Sequence, residues 1–188
     1  MEFIFGYPIW EFKKSDKFNR KKIEQEIYSV RKKEKDKERR ISSTRGGWQS
    51  DYTSNKDSAG ALKYIRSHLE SKRGLRFPHT ITHGWSNINK EGDYNMPHNH
   101  GLDGFAGVLF VTDAPGLHIL NPSIGARLDD VKRSPEGNSG EIILFPKSLL
   151  HWVEPSKSDK DRITFAFNVD VPNLQYARKE SLIASNSK

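Results

Sequence analysis

The chain has 188 residues, room for one ordinary domain with a real core, and a formal charge of +7. It contains no cysteine, which excludes a disulfide framework, thiolate metal sites and thiol nucleophiles, so any metal has to be held by His, Asp or Glu. No run approaches the roughly 18 apolar residues of a membrane helix, the opening MEFIFGYP lacks the features of a signal peptide, and a soluble, cytoplasmic protein is expected.

In chain order, residues 1–12 (MEFIFGYPIWEF) read as an N-terminal strand that Pro8 confines to an edge or an irregular course. Ser15 or Asp16 is placed to cap a helix whose apolar positions Ile23, Ile27 and Val30 share one face. That helix fades into RKKEKDKERR at 31–40, where seven basic and three acidic residues supply +4 of the total charge. Such a run reads as a solvated helix end, so nucleic acid is only weakly supported as a partner. Residues 41–56, rich in Ser, Thr, Gly and Asn, read as a loop carrying Trp48. A bulky aromatic beside paired glycines suggests a site lining, although packing against the domain explains it as simply.

A second amphipathic helix is expected from about Asp57 to Lys72, with Leu62, Ile65 and Leu69 on one face and Gly74 as its stop. The pattern then changes to short strands: 77–89, 105–112, 117–120, 141–145 and 162–169, separated by Gly, Pro and Asp punctuation. Phe105, Leu109, Phe110, Phe145, Phe165 and Phe167 read as core. The predicted fold class is α+β, with helices buttressing a β sandwich or barrel, and residues 173–188 read as a frayed helix or tail.

The chemistry sits in Asn95-Met96-Pro97-His98-Asn99-His100 and in the run from Gly140 to His151. In an extended strand, residues i and i+2 project from one face, so His98 and His100 can reach one metal ion, and His151 follows a strand-like run. Arg162 and Thr164, two apart in the last strand, offer a guanidinium fork and a hydroxyl to a carboxylate. His68, His79, His83 and His118 read as ordinary surface or hydrogen-bonded histidines.

The ordered series Tyr7-Pro8-Ile9-Trp10, Gly46-Gly47-Trp48-Gln49-Ser50, Trp85-Ser86-Asn87, Gly92-Asp93-Tyr94, His98-Asn99-His100, Gly107-Val108, Phe145-Pro146 with His151, and Arg162 to Asn168 resembles a family of 2-oxoglutarate and Fe(II)-dependent oxygenases of bacteria and phages. The likeness spans about residues 7–170. It implies a double-stranded β-helix, related to the cupins and jelly rolls, across about 76–170. An N-terminal part of about 1–75 and a tail at 171–188 complete a single domain. It further implies Fe(II) on His98, His151 and a third ligand, 2-oxoglutarate held by Arg162 with Thr164, and a hydroxylation coupled to decarboxylation to succinate. Asn87 is expected to touch the co-substrate, with Trp48 and Gln49 near the pocket mouth.

The wider superfamily carries a carboxylate where this chain has His100. Three readings are open: His100 as a ligand in a three-histidine site, Asp103 approaching from the next loop, or His100 lining the pocket while water completes the coordination. The first is favoured because its i, i+2 spacing is already correct. Dioxygen and a second substrate are the implied partners; a peptidyl proline, another side chain, a nucleobase or a small metabolite would all fit. The competing functions are a cupin-like metal-binding module without turnover, a three-histidine dioxygenase independent of 2-oxoglutarate, and a zinc hydrolase.

Overall fold

The computed structural model describes residues 2–4, 7–34, 43–52, 58–122, 132–133 and 136–172. The tail beyond 172, residues 35–40 of the charged run, 41–42 and 53–56 of the expected loop, and residue 57 at the expected start of the second helix lie outside them. The strands are β1 (Glu2–Ile4), β2 (Tyr7–Phe12), β3 (Thr44–Arg45), β4 (Trp48–Gln49), β5 (Thr80–Asn89), β6 (Tyr94–His98), β7 (Phe105–Phe110), β8 (Leu117–Leu120), β9 (Lys132–Arg133), β10 (Ile142–Pro146), β11 (His151–Val153) and β12 (Arg162–Asp170). The helices are α1 (Arg20–Lys33) and α2 (Ala59–Leu69). None among the described residues is long and apolar enough to cross a membrane.

Two antiparallel sheets form: β1-β2-β10-β7-β12-β5-β4 and β3-β6-β11-β8-β9. The fold is a double-stranded β-helix, with the helices packed on the seven-stranded sheet. That sheet is covered on both faces, which is why its central strands are apolar almost throughout. Along β12, Ile163, Phe165, Phe167 and Val169 join Ile23, Ile27, Leu62 and Ile65 on the helix side. Arg162, Thr164, Ala166 and Asn168 point the other way, into a cavity between the sheets. On β10 the same alternation sends Ile142 and Leu144 to the helices and Ile143 and Phe145 to the inter-sheet core. The residues expected to be core therefore divide between two clusters on opposite sides of one sheet.

Several local expectations need correction. The cap of α1 is Asn19, whose side chain accepts from Lys22 N at 3.0 Å; Ser15 is instead spent on a turn, its carbonyl accepting from Phe18 N at 3.0 Å. Helix α2 is shorter than expected. Its start is held by Glu26 of α1, which receives Gly60 N–H at 2.9 and 3.2 Å, while Ser58 makes no side-chain cap. Its end is Leu69, where the chain folds back so that Leu75 N donates to Leu69 O at 2.8 Å. Gly74 is needed for that return, because a Cβ there would lie 2.1 Å from the same carbonyl oxygen. The Ser- and Gly-rich stretch is not wholly a loop: β3 pairs with β6, and β4 pairs with β5, Trp48 opposite Ile88 and Gln49 opposite Asn87. Tertiary pairing at sheet ends there outweighs a poor local strand propensity. Pro8 is tolerated because its register partner is Phe3 of β1, while β10 pairs only with Trp10–Phe12.

Candidate metal centre

Strands β6 and β11 are antiparallel neighbours with His151 directly opposite His98, and this register brings two imidazoles from distant parts of the chain together, ring centroids 4.3 Å apart. His100 lies just past the end of β6, its backbone N–H donating to Lys147 O at 2.9 Å, its ring 5.2 Å from that of His98 and 4.9 Å from that of His151. One ring nitrogen from each of the three lies within 4.8 Å of the others. Among the described residues this is the one group of three or more His, Cys, Asp or Glu side chains so gathered. Asp103 sits in the following turn, between Gly101 and Gly104 at positive φ, and is not a member of the group.

Burial decides the protonation of the cluster. Desolvation, reinforced by the neighbouring His98, pushes His151 down to about 3. Desolvation takes His100 down to about 4 against the opposing hydrogen bond that its Nδ1–H donates to Asn168 Oδ1, and it lowers His98 as well. All three are therefore neutral at pH 7, the state in which an imidazole offers a lone pair to a metal. A trio of neutral nitrogens suits iron, zinc, copper or nickel.

The same cavity, of about 350 Å³, extends from the histidines to Arg162, Thr164 and Asn87. Arg162 is 5% exposed, and among the described residues lining the cavity it alone carries a formal charge. Its Nη2 donates to Ala114 O at a long 3.4 Å, its Nε has no partner among the described residues, and burial lowers it to about 10. A buried guanidinium without a protein carboxylate fits an acidic ligand entering the cavity. Thr164 Oγ1 accepts from Asn87 Nδ2 at 3.4 Å, so its own proton can be given to such a ligand. The donors therefore fit both a metal ion and a carboxylate beside it.

Of the two residues expected near the pocket mouth, Gln49 lines the cavity and Trp48 does not; Trp48 packs against the helix-side core. His118 is buried away from the cluster, 2.7 Å from Glu154. Asn168, which also faces the cavity, is absent from the expected set. The inward alternation that pairs Arg162 with Thr164, extended by two further steps, would have found it.

Fold and site together define a class: the double-stranded β-helix with a histidine cluster able to hold a metal ion and a buried arginine in one cavity. The family described as "Putative 2OG-Fe(II) oxygenase" matches residues 126–168, a stretch that holds His151, Arg162, Thr164 and Asn168 but not His98 or His100. A comparison with curated proteins finds no significant match. Among solved structures, the chain is similar to the non-heme alpha ketoglutarate dependent carbocyclase SnoK of nogalamycin biosynthesis, with a TM-score of 0.65, 10% identity, and 92% of this chain and 86% of that one covered. It is similar to a prolyl hydroxylase from Trichoplax adhaerens, solved with a hypoxia inducible factor peptide (TM-score 0.61, 12% identity, covering 88% and 84%). It is also similar to the viral collagen prolyl hydroxylase of Paramecium Bursaria Chlorella virus-1 in its 2OG complex (TM-score 0.58, 16% identity, covering 87% and 96%). At such identities these structures establish the shared fold.

Proposed function

We propose that this chain is a non-haem Fe(II), 2-oxoglutarate-dependent oxygenase of the hydroxylase type. The observation that carries the reading is the cross-strand pairing of His98 with His151 in a cavity also lined by the buried Arg162, which has no ion-pair partner among the described residues. His98, His151 and His100 would hold the metal, Arg162 with Thr164 would hold the distal carboxylate of 2-oxoglutarate, and Asn87 would orient Thr164. With iron, 2-oxoglutarate and dioxygen bound, the centre supplies oxidative decarboxylation to succinate coupled to hydroxylation of a second substrate.

The chain's own contribution is positioning and exclusion of water. Arg162 presents its charge from a desolvated site, where a carboxylate binds more strongly than in water. Phe110 and Phe145, both buried, also line the cavity, the ring of Phe145 lying 4.9 Å from that of His151. His98 and His151 keep their protons on Nδ1, bonded to the carbonyl oxygens of Met96 and Leu149 at 2.7 and 3.0 Å, which leaves Nε2 as the nitrogen each would offer to a metal. The remaining lining carries no formal charge: the polar Ser43, Gln49, Asn95 and Asn99 stand with Tyr52, Trp85 and the apolar Val108, Leu117 and Val153. That surface suits a neutral group of a peptide or small molecule as the second substrate.

A binding module without turnover has no use for a buried cation aimed at a ligand, which favours the enzymatic reading. The test is succinate formation by the purified protein with Fe(II), ascorbate and 2-oxoglutarate. Uncoupled turnover is expected in the wild type and lost in Arg162→Ala; no succinate from the wild type, or equal amounts from both proteins, would overturn the proposal.

A further inference from the structure

The three imidazoles are not secured alike. The Nδ1 atoms of His98 and His151 each meet the carbonyl oxygen of the residue two positions earlier, Met96 and Leu149. A carbonyl only accepts, so the backbone alone fixes both tautomers and makes Nε2 the lone-pair nitrogen of each ring, that of His98 lying 3.4 Å from the Ser43 hydroxyl. His100 is held differently. It lies beyond the end of β6, next to Gly101 at φ +101°, and its Nδ1 meets Asn168 Oδ1 at 2.9 Å, from a residue 68 positions further along.

That difference has a chemical consequence. A carboxylate ligand needs no particular tautomer, whereas an imidazole binds a metal through Nε2 only when its remaining proton sits on Nδ1. Placing histidine at this position therefore creates a need for an acceptor behind the ring. Asn168 supplies one from the inward face of β12, the face that also carries Arg162 and Thr164. Trp85, its ring 5.3 Å from that of His100, borders the same imidazole but has no acceptor to offer.

We propose that Asn168 is the positioning residue that makes His100 the third metal ligand, its amide oxygen fixing the tautomer and direction of that ring. The proposal rests on the metal-binding reading of the cluster and extends it to a residue outside the ligand set. It predicts that the amide's acceptor is what counts: aspartate, which also accepts, replaces asparagine, and leucine does not.

The test uses the full chain titrated with Co(II) alone, by calorimetry and by proton NMR in water. Each imidazole bound through Nε2 contributes one hyperfine-shifted, exchangeable Nδ1–H resonance. Three are expected in the wild type and in Asn168→Asp, and two in Asn168→Leu, with Co(II) affinity reduced roughly 10–100-fold in the leucine variant. Asn168→Ala, which removes the acceptor without adding bulk, is measured beside it in case leucine is not accommodated. In a His100→Ala background, adding Asn168→Leu should change the affinity no further. Two resonances in the wild type, or three with unchanged affinity in both Asn168→Leu and Asn168→Ala, would overturn the proposal while leaving the oxygenase reading intact. A wild type that binds no Co(II) would sink both.

Discussion

Replacing Arg162 with leucine should make the ligand-free protein more stable while removing its response to 2-oxoglutarate. The guanidinium is 5% exposed, makes one long hydrogen bond to Ala114 O and leaves Nε without a partner among the described residues. Burial lowers it from its ordinary value to about 10, which corresponds to roughly 3 kcal/mol of disfavoured charge, present at every pH below the folded value. Leucine removes that cost and leaves a small void worth about 1 kcal/mol, for a net gain of about 2 kcal/mol. In a chain of this length each kcal/mol moves the melting temperature by about 2–4 °C, so Arg162→Leu should melt about 4–8 °C higher than wild type. With metal present and dioxygen excluded, 2-oxoglutarate at 100 times its Kd should stabilise the wild type by about 2.7 kcal/mol and the variant not at all. Differential scanning calorimetry of both proteins, with and without the dicarboxylate, makes the comparison. A variant that melts several degrees lower would show Arg162 to be structural, and one that still responds to 2-oxoglutarate would place the carboxylate elsewhere.

The histidine cluster predicts acid sensitivity of the metal-free protein. His100 and His151 have folded values of about 4 and about 3, below the ordinary 6.5. The unfolded chain therefore binds more protons between those limits, so stability is full above 6.5 and falls with decreasing pH, by up to about 1.4 kcal/mol per pH unit for each ring. Urea midpoints between pH 7 and pH 4 should fall steeply in wild type and less in His151→Asn; parallel profiles would contradict this. Gly107→Ala should cost about 1–3 kcal/mol, because a Cβ there would lie 2.2 Å from the ring of Phe167, its cross-strand partner on β12; an unchanged denaturation midpoint would refute it. Thr164→Val should raise the KM for 2-oxoglutarate roughly tenfold through the loss of one hydrogen bond, with little change in kcat. A selective fall in kcat would assign the hydroxyl to the chemical step instead.

Much of this arrangement was legible in the amino-acid order. A period of two marked most of the strands, and a period near four marked both helices through Ile23, Ile27 and Val30 and through Leu62, Ile65 and Leu69. The spacing of Arg162 and Thr164 placed both on one face, and the structure turns that face inward. Less could be read where two elements compete for one role. Ser15, Asp16 and Asn19 are all able caps, and only the turn that engages Ser15 leaves the task to Asn19. Likewise Trp48 and Gln49 are adjacent, and pairing with β5 decides that glutamine faces the cavity while tryptophan faces the helices.

By itself, the sequence determined which side chains could ligate a metal or hold a carboxylate, because donor chemistry and i, i+2 spacing are local properties. Tertiary structure alone decided that His151 stands opposite His98, that Asp103 stays outside the cluster, and that Asn168 backs His100. The first depends on the register between strands far apart in the chain, where a shift of one residue would turn every side chain to the other face of its sheet, and the other two on the course of the turn after β6 and its packing against β12.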